Sequence, residues 1–592
     1  MVVMKDRRQN REVLLALLIT LMAIAIRVYG NWWDYPHAYH PDEWHSVERA
    51  VHFITERSIR TDFFIYPTAY MYILSVVYGI VGGISKIAGV LAGYGGTLAG
   101  YYEAMPADFY IIGRTVTALL GGATVWVTWL IGRALFSARL GLVAALFLAF
   151  AYSHCVHSHY ATTDVPATFF AMLSFYFSVR IFQGTGSRST YVYAGLLAGL
   201  GAATKYPAAL ALAPLVVAHL LRASADQEAT EGRSNRYLWP GIASALVGFG
   251  IGCPSAFFES GAFVTAFVDM RVHSQTGHLG IQPGTLWGYF TQLTPAGGVG
   301  LALAIAAGFG MMFGLWSHRR RTLLLLSFPA LYYAIIGPYC LQYLRYFVPN
   351  IPFLCIFAAL FVEQLHVQCF ERRRLRVAAP IIAVILVATP AYYCVLRHHI
   401  ALLQEDTRDI AGDWALAHIP RSDKILVCFH SRIPLPPDST CRMEETYTDM
   451  LHGRYKVFLR SWRTVSRLPC LPAAYRRQAQ ANIGVYEELV KQTPAMAQSR
   501  ARPLEYYYRQ GCRWAIVESN YRARFYKPWT EKQYPAMAQS WQEFYAALEE
   551  DAEVVFRVSR HVRDHPWGLG FDQAPDITIY RLDAQMADAG PP

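Results

Sequence analysis

The chain has 592 residues, 54% of them hydrophobic and 16% charged, with a formal net charge of +11. That composition excludes a wholly water-soluble domain and a disordered chain, and it implies a polytopic membrane protein with a soluble appendage. The excess positive charge sits in short loops between apolar runs, so it reports topology and calls for no nucleic-acid partner.

Apolar runs able to cross a bilayer, each of about 17–25 residues, recur at 13–29, 110–131, 140–160, 165–181, 191–203, 207–221, 238–257, 296–316, 322–340, 346–365 and 377–396. They predict about eleven transmembrane helices. The stretch 67–93 is also apolar, but charge argues against a twelfth crossing. The basic loops 1–11, 133–139, 180–188, 222–236, 318–321 and 372–376 share one side only if 67–93 does not cross. Gly79, Gly82 and Gly83 let that stretch turn back or lie at the interface under protein cover. Residues 30–109 are therefore expected to form one long outward loop with juxtamembrane helices. The basic head and first apolar run lack a small-x-small cleavage site, which predicts an uncleaved first span.

The composition changes near residue 398. Short β-branched runs at 425–429, 456–459, 514–518, 554–558 and 577–580 alternate with helical patterns at 407–418, 473–492 and 539–548. This predicts a transmembrane domain over 1–397 and an outward soluble α/β domain over 398–592. Cys428, Cys441, Cys470 and Cys512 fall in the latter, where four cysteines allow three pairings and the sequence selects none. Cys155, Cys253, Cys340, Cys355, Cys369 and Cys394 are expected to pack as small apolar residues.

Three constellations carry chemistry. The first is His40-Pro41-Asp42-Glu43-Trp44, just beyond the first span, with Trp32, Trp33, Tyr35, His37, His45 and His52 nearby. Ionisable groups at the edge of hydrocarbon are costly and mark function. The second runs from His154 to Phe170, where Asp164 precedes Val165-Pro166 and can also cap the next helix. His154, His157 and His159 in this segment do not form a recognised metal-ligand spacing. The third is Leu344-Arg345-Tyr346 with Pro349 and Pro352, where arginine's planar fork suits phosphate oxygens. Lys205, in a turn between two apolar runs, is a second phosphate contact candidate, and Arg114, one turn inside its helix, calls for an internal carboxylate. Walker loops, G-x-S-x-G elbows and H-E-x-x-H are absent from the sequence. Gly248, Gly250 and Gly252 lie within a span and read as a close helix contact.

In this order, the segments resemble GT-C-fold glycosyltransferases, in particular the protein O-mannosyltransferase and lipid A aminoarabinose transferase group. Pro41-Asp42-Glu43, Ala161–Pro166 with Phe169-Phe170, Gly195–Gly201 leading into Thr204-Lys205-Tyr206-Pro207, and Arg345-Tyr346 with Pro349 and Pro352 carry the likeness across residues 12–400. The resemblance implies transfer of a sugar from a polyprenyl-phosphate carrier, with inversion, to a lipid, glycan or protein acceptor on the outer face of a bacterial inner membrane. It implies Asp42 as general base, Glu43 and Asp164 as further catalytic acids, and Arg345, Lys205 and Tyr346 on the donor phosphate. His40, His159 and Tyr66 are the expected donor or acceptor contacts, with no cofactor and no metal centre. Ile65-Tyr66 stands where the aminoarabinose transferases carry Glu-Lys, which removes one expected phosphate contact. The competing readings are a flippase or transporter of a lipid-linked glycan and a non-catalytic envelope-assembly subunit. Transporters keep ionisable groups near the midplane of paired repeats, whereas the charges here gather at one interface.

Overall fold

The computed structural model describes residues 2–61, 63–222, 227–276, 284–293, 300–368, 373–428, 431–443, 448–467, 473–492, 501–559 and 575–582. Cys369, Cys470, Phe429, residues 296–299 and parts of the basic loops 222–236 and 372–376 lie outside them. The first half of the chain builds α1 (Val2–Val28), α2 (Glu43–Thr55), α3 (Ala69–Ile87), α4 (Leu98–Ala104), α5 (Pro106–Leu135), α6 (Ala138–Phe150), α7 (Tyr152–His157), α8 (Asp164–Phe182), α9 (Arg188–Ala202), α10 (Leu212–Leu221) and α11 (Gln227–Gly252). Further helices run Ser260–Thr276, Leu301–Ser317, Arg319–Leu326, Pro329–Ile336, Ile351–Gln368 and Arg373–Leu402.

Among the described residues, five helical stretches are long and apolar enough to cross a membrane: Ala69–Ile87, Pro106–Leu135, Asp164–Phe182, Leu344–Val367 and Val377–His418. Ala138–Phe150, Tyr206–Leu221 and Leu301–Ser317 are shorter apolar helices. The sequence suggests more spans because several apolar runs are broken. The run 140–160 divides into α6 and α7 at Ala151, which is extended with ψ 107°. The run 322–340 divides ahead of Pro329, which begins the next helix.

The helix α3 starts among the ends of other helices. Ala69 N donates to Ala203 O at 2.9 Å and Thr68 Oγ1 to Gly252 O at 2.7 Å. Tyr70 then donates to Gly113 O at 3.0 Å and Tyr78, two turns on, to Phe109 O at 2.8 Å. A helix plunging beside α5 would carry Tyr78 about 12 Å deeper than Tyr70. Its partner instead lies nearer the start of α5, so α3 advances in the direction opposite to α5 where the two touch. It leaves Val76, Ile80, Ile84 and Ile87 exposed as an apolar stripe.

Close backbone approach fixes α9 on α11. A Cβ at Gly195 would lie 1.7 Å from Gly241 O, and one at Gly199 2.0 Å from Ala245 O. Only glycine permits this contact, which is the small-residue packing of membrane helices. Its consequence is positional, since α9 ends immediately before Thr204-Lys205. Arg27, fully buried, donates to Leu148 O at 2.9 Å and Ala149 O at 3.1 Å. It thereby satisfies the carbonyls that end α6 and favours that helix's negative pole.

The soluble region has a five-stranded sheet of order β2-β1-β3-β5-β4, from β1 (Lys424–Val427), β2 (Thr440–Arg442), β3 (Cys512–Glu518), β4 (Ala552–Val558) and β5 (Ile577–Leu582). β1 is parallel to β2 and β3, and β5 is antiparallel to β3 and β4. Helices Thr407–His418, Ala473–Gln492 and Pro535–Asp551 match the helical patterns read in the sequence. The expected strand at 456–459 is overturned, for these residues lie inside the helix Thr448–Ser466. Four apolar residues are too short a window for a period. Over the longer stretch Tyr455, Phe458, Trp462 and Val465 follow helical spacing and pack with Val268 and Val272. Cys441 and Cys512 carry free thiols.

Candidate functional site

The residue before α2 is Asp42, whose carboxylate does not cap the helix. It pairs with Arg345 Nη1 across 303 residues of sequence. Both side chains are 20% exposed, so the pair is reachable without being solvated on all sides. Arg345 is the second residue of the 3-10 segment Leu344–Asn350, and its guanidinium lies 4.9 Å from the Tyr343 ring centre and 5.5 Å from that of Tyr346. Burial pushes the Asp42 carboxyl up, but Arg345, with His40 and His45, overcomes it and holds the group down at about 2. The carboxylate is ionised because a cation faces it.

Asp164 is the first residue of α8, and its side chain is no cap either. It pairs with Lys205 Nζ, and both residues are buried. Lys205 N donates to Gly201 O at 2.9 Å, which ties the turn to the end of α9. Burial pulls the Lys205 ammonium down while Asp164 works against it. Lys205 Nζ sits 4.8 Å from the Tyr346 ring centre. One aromatic ring thus carries both cations, and each of these cations feels both Asp42 and Asp164. The two acids and two bases read from the sequence converge.

Glu43 requires a correction. The sequence reading places it with the catalytic acids, yet it has no exposed surface. Arg114 Nε donates to its Oε1 at 2.7 Å and Nη2 to its Oε2 at 2.6 Å, and Ala161 N donates to Oε1 at 2.7 Å. The same guanidinium grips Asp34 at 2.6 and 2.9 Å and the Asn31 carbonyl at 2.9 Å. Consecutive residues at a helix start point about 100° apart, and here Glu43 turns to Arg114 while Asp42 turns to Arg345. Glu43 holds α2 to α5 and to the segment before α8. Asp34 is the member the sequence reading missed, although Arg114's position inside its helix signals that such a carboxylate exists.

His40 is buried and stacks on Tyr160 with ring centres 4.3 Å apart. Its Nδ1 accepts Asp42 N–H at 3.2 Å, so the proton of the neutral ring belongs on Nε2. Burial keeps the ring neutral against the pull of Asp42. Tyr66 is half-buried beside His45, with ring centres 5.6 Å apart, and burial followed by Asp42 and Arg345 sets its ionisation, holding it as a neutral phenol. His159 does not reach the site. Its Nδ1 and Nε2 lie 3.0 Å from Cys155 O and 3.1 Å from Tyr29 O, which makes it a strut between helix ends. His154 meets Arg27 at 3.2 Å, so the three histidines of this segment do not converge on a metal, and no cluster with metal-ligand composition occurs among the described residues.

On its other face α2 lines an open cleft of about 820 Å³, with Trp44, Glu48, Arg49, His52, Arg60 and Glu259 in its wall. It begins two residues beyond Asp42.

Residues 111–251 match the family model described as dolichyl-phosphate-mannose-protein mannosyltransferase. Among solved structures, ArnT from Cupriavidus metallidurans in the apo state aligns with a TM-score of 0.50 at 14% identity, covering 99% of this chain and 100% of that one. The same protein bound to undecaprenyl phosphate gives 0.49 at 15%, covering 98% and 99%. The archaeal oligosaccharyltransferase AglB from Archaeoglobus fulgidus, in complex with an inhibitory peptide and a dolichol-phosphate, gives 0.48 at 12%, covering 96% and 76%. No curated protein matches by sequence. The apo ArnT alignment extends over the whole chain and establishes a GT-C multi-pass membrane fold with a C-terminal sheet region.

Proposed function

We propose that this chain is an inverting membrane glycosyltransferase that takes a sugar from a polyprenyl-phosphate donor. The observation that carries the reading is the arrangement of the pairs Asp42–Arg345 and Asp164–Lys205 around the ring of Tyr346. Two cations in a low-dielectric rim are a receptor for a phosphate, and a partly exposed carboxylate beside them is a base for a hydroxyl.

The resting site also contains a reason for the base to wait. Arg345 holds Asp42 at about 2, too weak a base to take a proton readily from a hydroxyl. A donor phosphate drawn to Arg345 and Lys205 competes for the guanidinium. As Arg345 turns to phosphate, its hold on Asp42 weakens, burial gains the upper hand and the carboxylate's affinity for a proton rises. Asp42 then accepts the acceptor hydroxyl proton while that oxygen attacks the anomeric carbon. The bond from that carbon to the phosphate oxygen breaks, and the lipid phosphate leaves with its charge facing Arg345 and Lys205. Asp164 keeps Lys205 charged and in place. The acceptor reaches Asp42 along the cleft beside α2, and the prenyl tail lies toward the apolar stripe of α3.

The family match, the ArnT-like fold and the basic-loop pattern support a bacterial inner membrane, with the site and the soluble domain on the outer face. Hexosyl or pentosyl donors both fit this chemistry. Purified chain in vesicles, given a panel of radiolabelled polyprenyl-phosphate sugars with membrane acceptors, should move label into a glycosidic bond with one donor. Label that crosses the bilayer still attached to its lipid would establish transport in place of transfer.

A further inference from the structure

The loop that ends in Asp42 is held from two sides. From the bundle, Asp34, itself fixed by Arg114, accepts Tyr39 N–H at 2.8 Å. From the soluble domain, Arg432 Nη1 lies 3.1, 3.2 and 3.3 Å from the carbonyl oxygens of Ala38, Tyr39 and His40. The Tyr39 hydroxyl donates to Asp409, the Arg408 guanidinium lies 3.8 Å from the Tyr39 ring centre, and His37 Nε2 is 3.4 Å from Asp409. Arg408 is itself locked by Asp406 at 2.8 and 2.9 Å. All these soluble-domain groups lie in or beside the helix Thr407–His418, or just beyond β1.

Three consecutive carbonyls turned toward one nitrogen describe a small oxygen nest that needs a cation. Without it, three partly buried acceptors would face one another with no shared donor, a costly arrangement. The peptide so held ends two residues before Asp42, across Pro41. A displacement near 1 Å at a reacting group can cost about 10²-fold in rate. Pairing of Asp42 with Arg345 depends on where this loop delivers it.

We infer that Arg432, supported by Asp409 and Arg408 on Tyr39, is a positioning residue for Asp42, so that the soluble domain is a working part of the rim site. This rests on the transferase reading for its kinetic consequence, but not for its structural one. The nest is filled by one nitrogen, so an ammonium with three donors can replace the guanidinium. Arg432→Lys should therefore retain what Arg432→Ala loses.

The test compares full-length chain, Arg432→Ala, Arg432→Lys and Tyr39→Phe in lipid nanodiscs. Hydrogen–deuterium exchange at the amides of residues 37–42 should rise at least tenfold in Arg432→Ala, with the helices of the bundle unchanged. Arg432→Lys should resemble the parent, and Tyr39→Phe should lie between. In the transfer assay, kcat should fall about 10²-fold in Arg432→Ala, with donor KM unchanged and most activity restored in Arg432→Lys. Unchanged exchange in Arg432→Ala overturns the inference, as does raised exchange with unchanged kcat, or a lysine variant as poor as alanine. If the parent transfers no sugar but exchange behaves as stated, the clamp stands and the transferase reading fails.

Discussion

Asp42 and Glu43 are neighbours in sequence, both are carboxylates, and both face an arginine, yet they live in different chemistry. Glu43 accepts three hydrogen bonds, two from Arg114 and one from Ala161, and has no exposed surface. Asp42 has one cation, a fifth of its side chain open, and a second ion pair across the Tyr346 ring. The first arrangement organises a fold, because a buried triad with satisfied hydrogen bonds tolerates no exchange of partners. The second can swap a carboxylate for a phosphate. What separates a structural charge from a reactive one is whether a partner can be given up at low cost.

The comparison is broken most violently at the closed cluster. Arg114→Ala leaves Asp34 and Glu43 buried side by side, and should cost about 3–5 kcal/mol, read as a lowered thermal midpoint in detergent with loss of ordered protein. Arg114→Lys retains charge without the fork and should fall between. At the open cluster, Arg345→Ala should lower kcat about 10²–10³-fold with the thermal midpoint little changed, whereas Lys205→Ala should lower kcat similarly and also lower the midpoint, because it leaves Asp164 buried without its cation. If Arg345→Ala instead unfolds the chain while leaving turnover per folded molecule intact, the two clusters are alike and the distinction fails.

A smaller effect belongs to His45. Burial holds its imidazole at about 4, with Asp42 opposing and Arg49 assisting, against an ordinary value of 6.5. Between those values the unfolded chain binds a proton and the folded chain does not. Stability is thus full above the unfolded value and declines as pH falls through this window. His45→Phe, which keeps the ring against Phe63 and Trp44, should flatten that decline by on the order of 1 kcal/mol, measured by unfolding between pH 7 and 4. The smallest effect should come from the solvent-exposed pair Arg463–Glu487 in the soluble domain, at 52% and 43% exposure. Arg463→Ala should change stability by less than about 1 kcal/mol.

Much of the open cluster was legible in the sequence. Asp42, Asp164, Lys205 and Arg345 each stand at the edge of an apolar run, where a charge is costly, and the loop charges assign those edges to one side. The helix–sheet alternation after residue 398 was legible chiefly through its helices, whose periods ran long enough to count. Glu43 was misread because a sequence does not show the 100° turn between adjacent helical side chains. Arg432 and Tyr39 were invisible, being separated by 393 residues and joined through backbone carbonyls that carry no residue-type signal. The strand expected at 456–459 failed because four residues cannot distinguish a period of two from one of 3.6.

The most direct test is single-turnover sugar transfer by Asp42→Asn beside Glu43→Gln, with lipid-phosphate donor bound and thermal unfolding measured on the same samples. The account predicts that Asp42→Asn binds donor, melts like the parent and transfers about 10²–10⁴-fold more slowly, while Glu43→Gln melts lower and keeps its rate per folded molecule. Parent-like transfer by folded Asp42→Asn would contradict it.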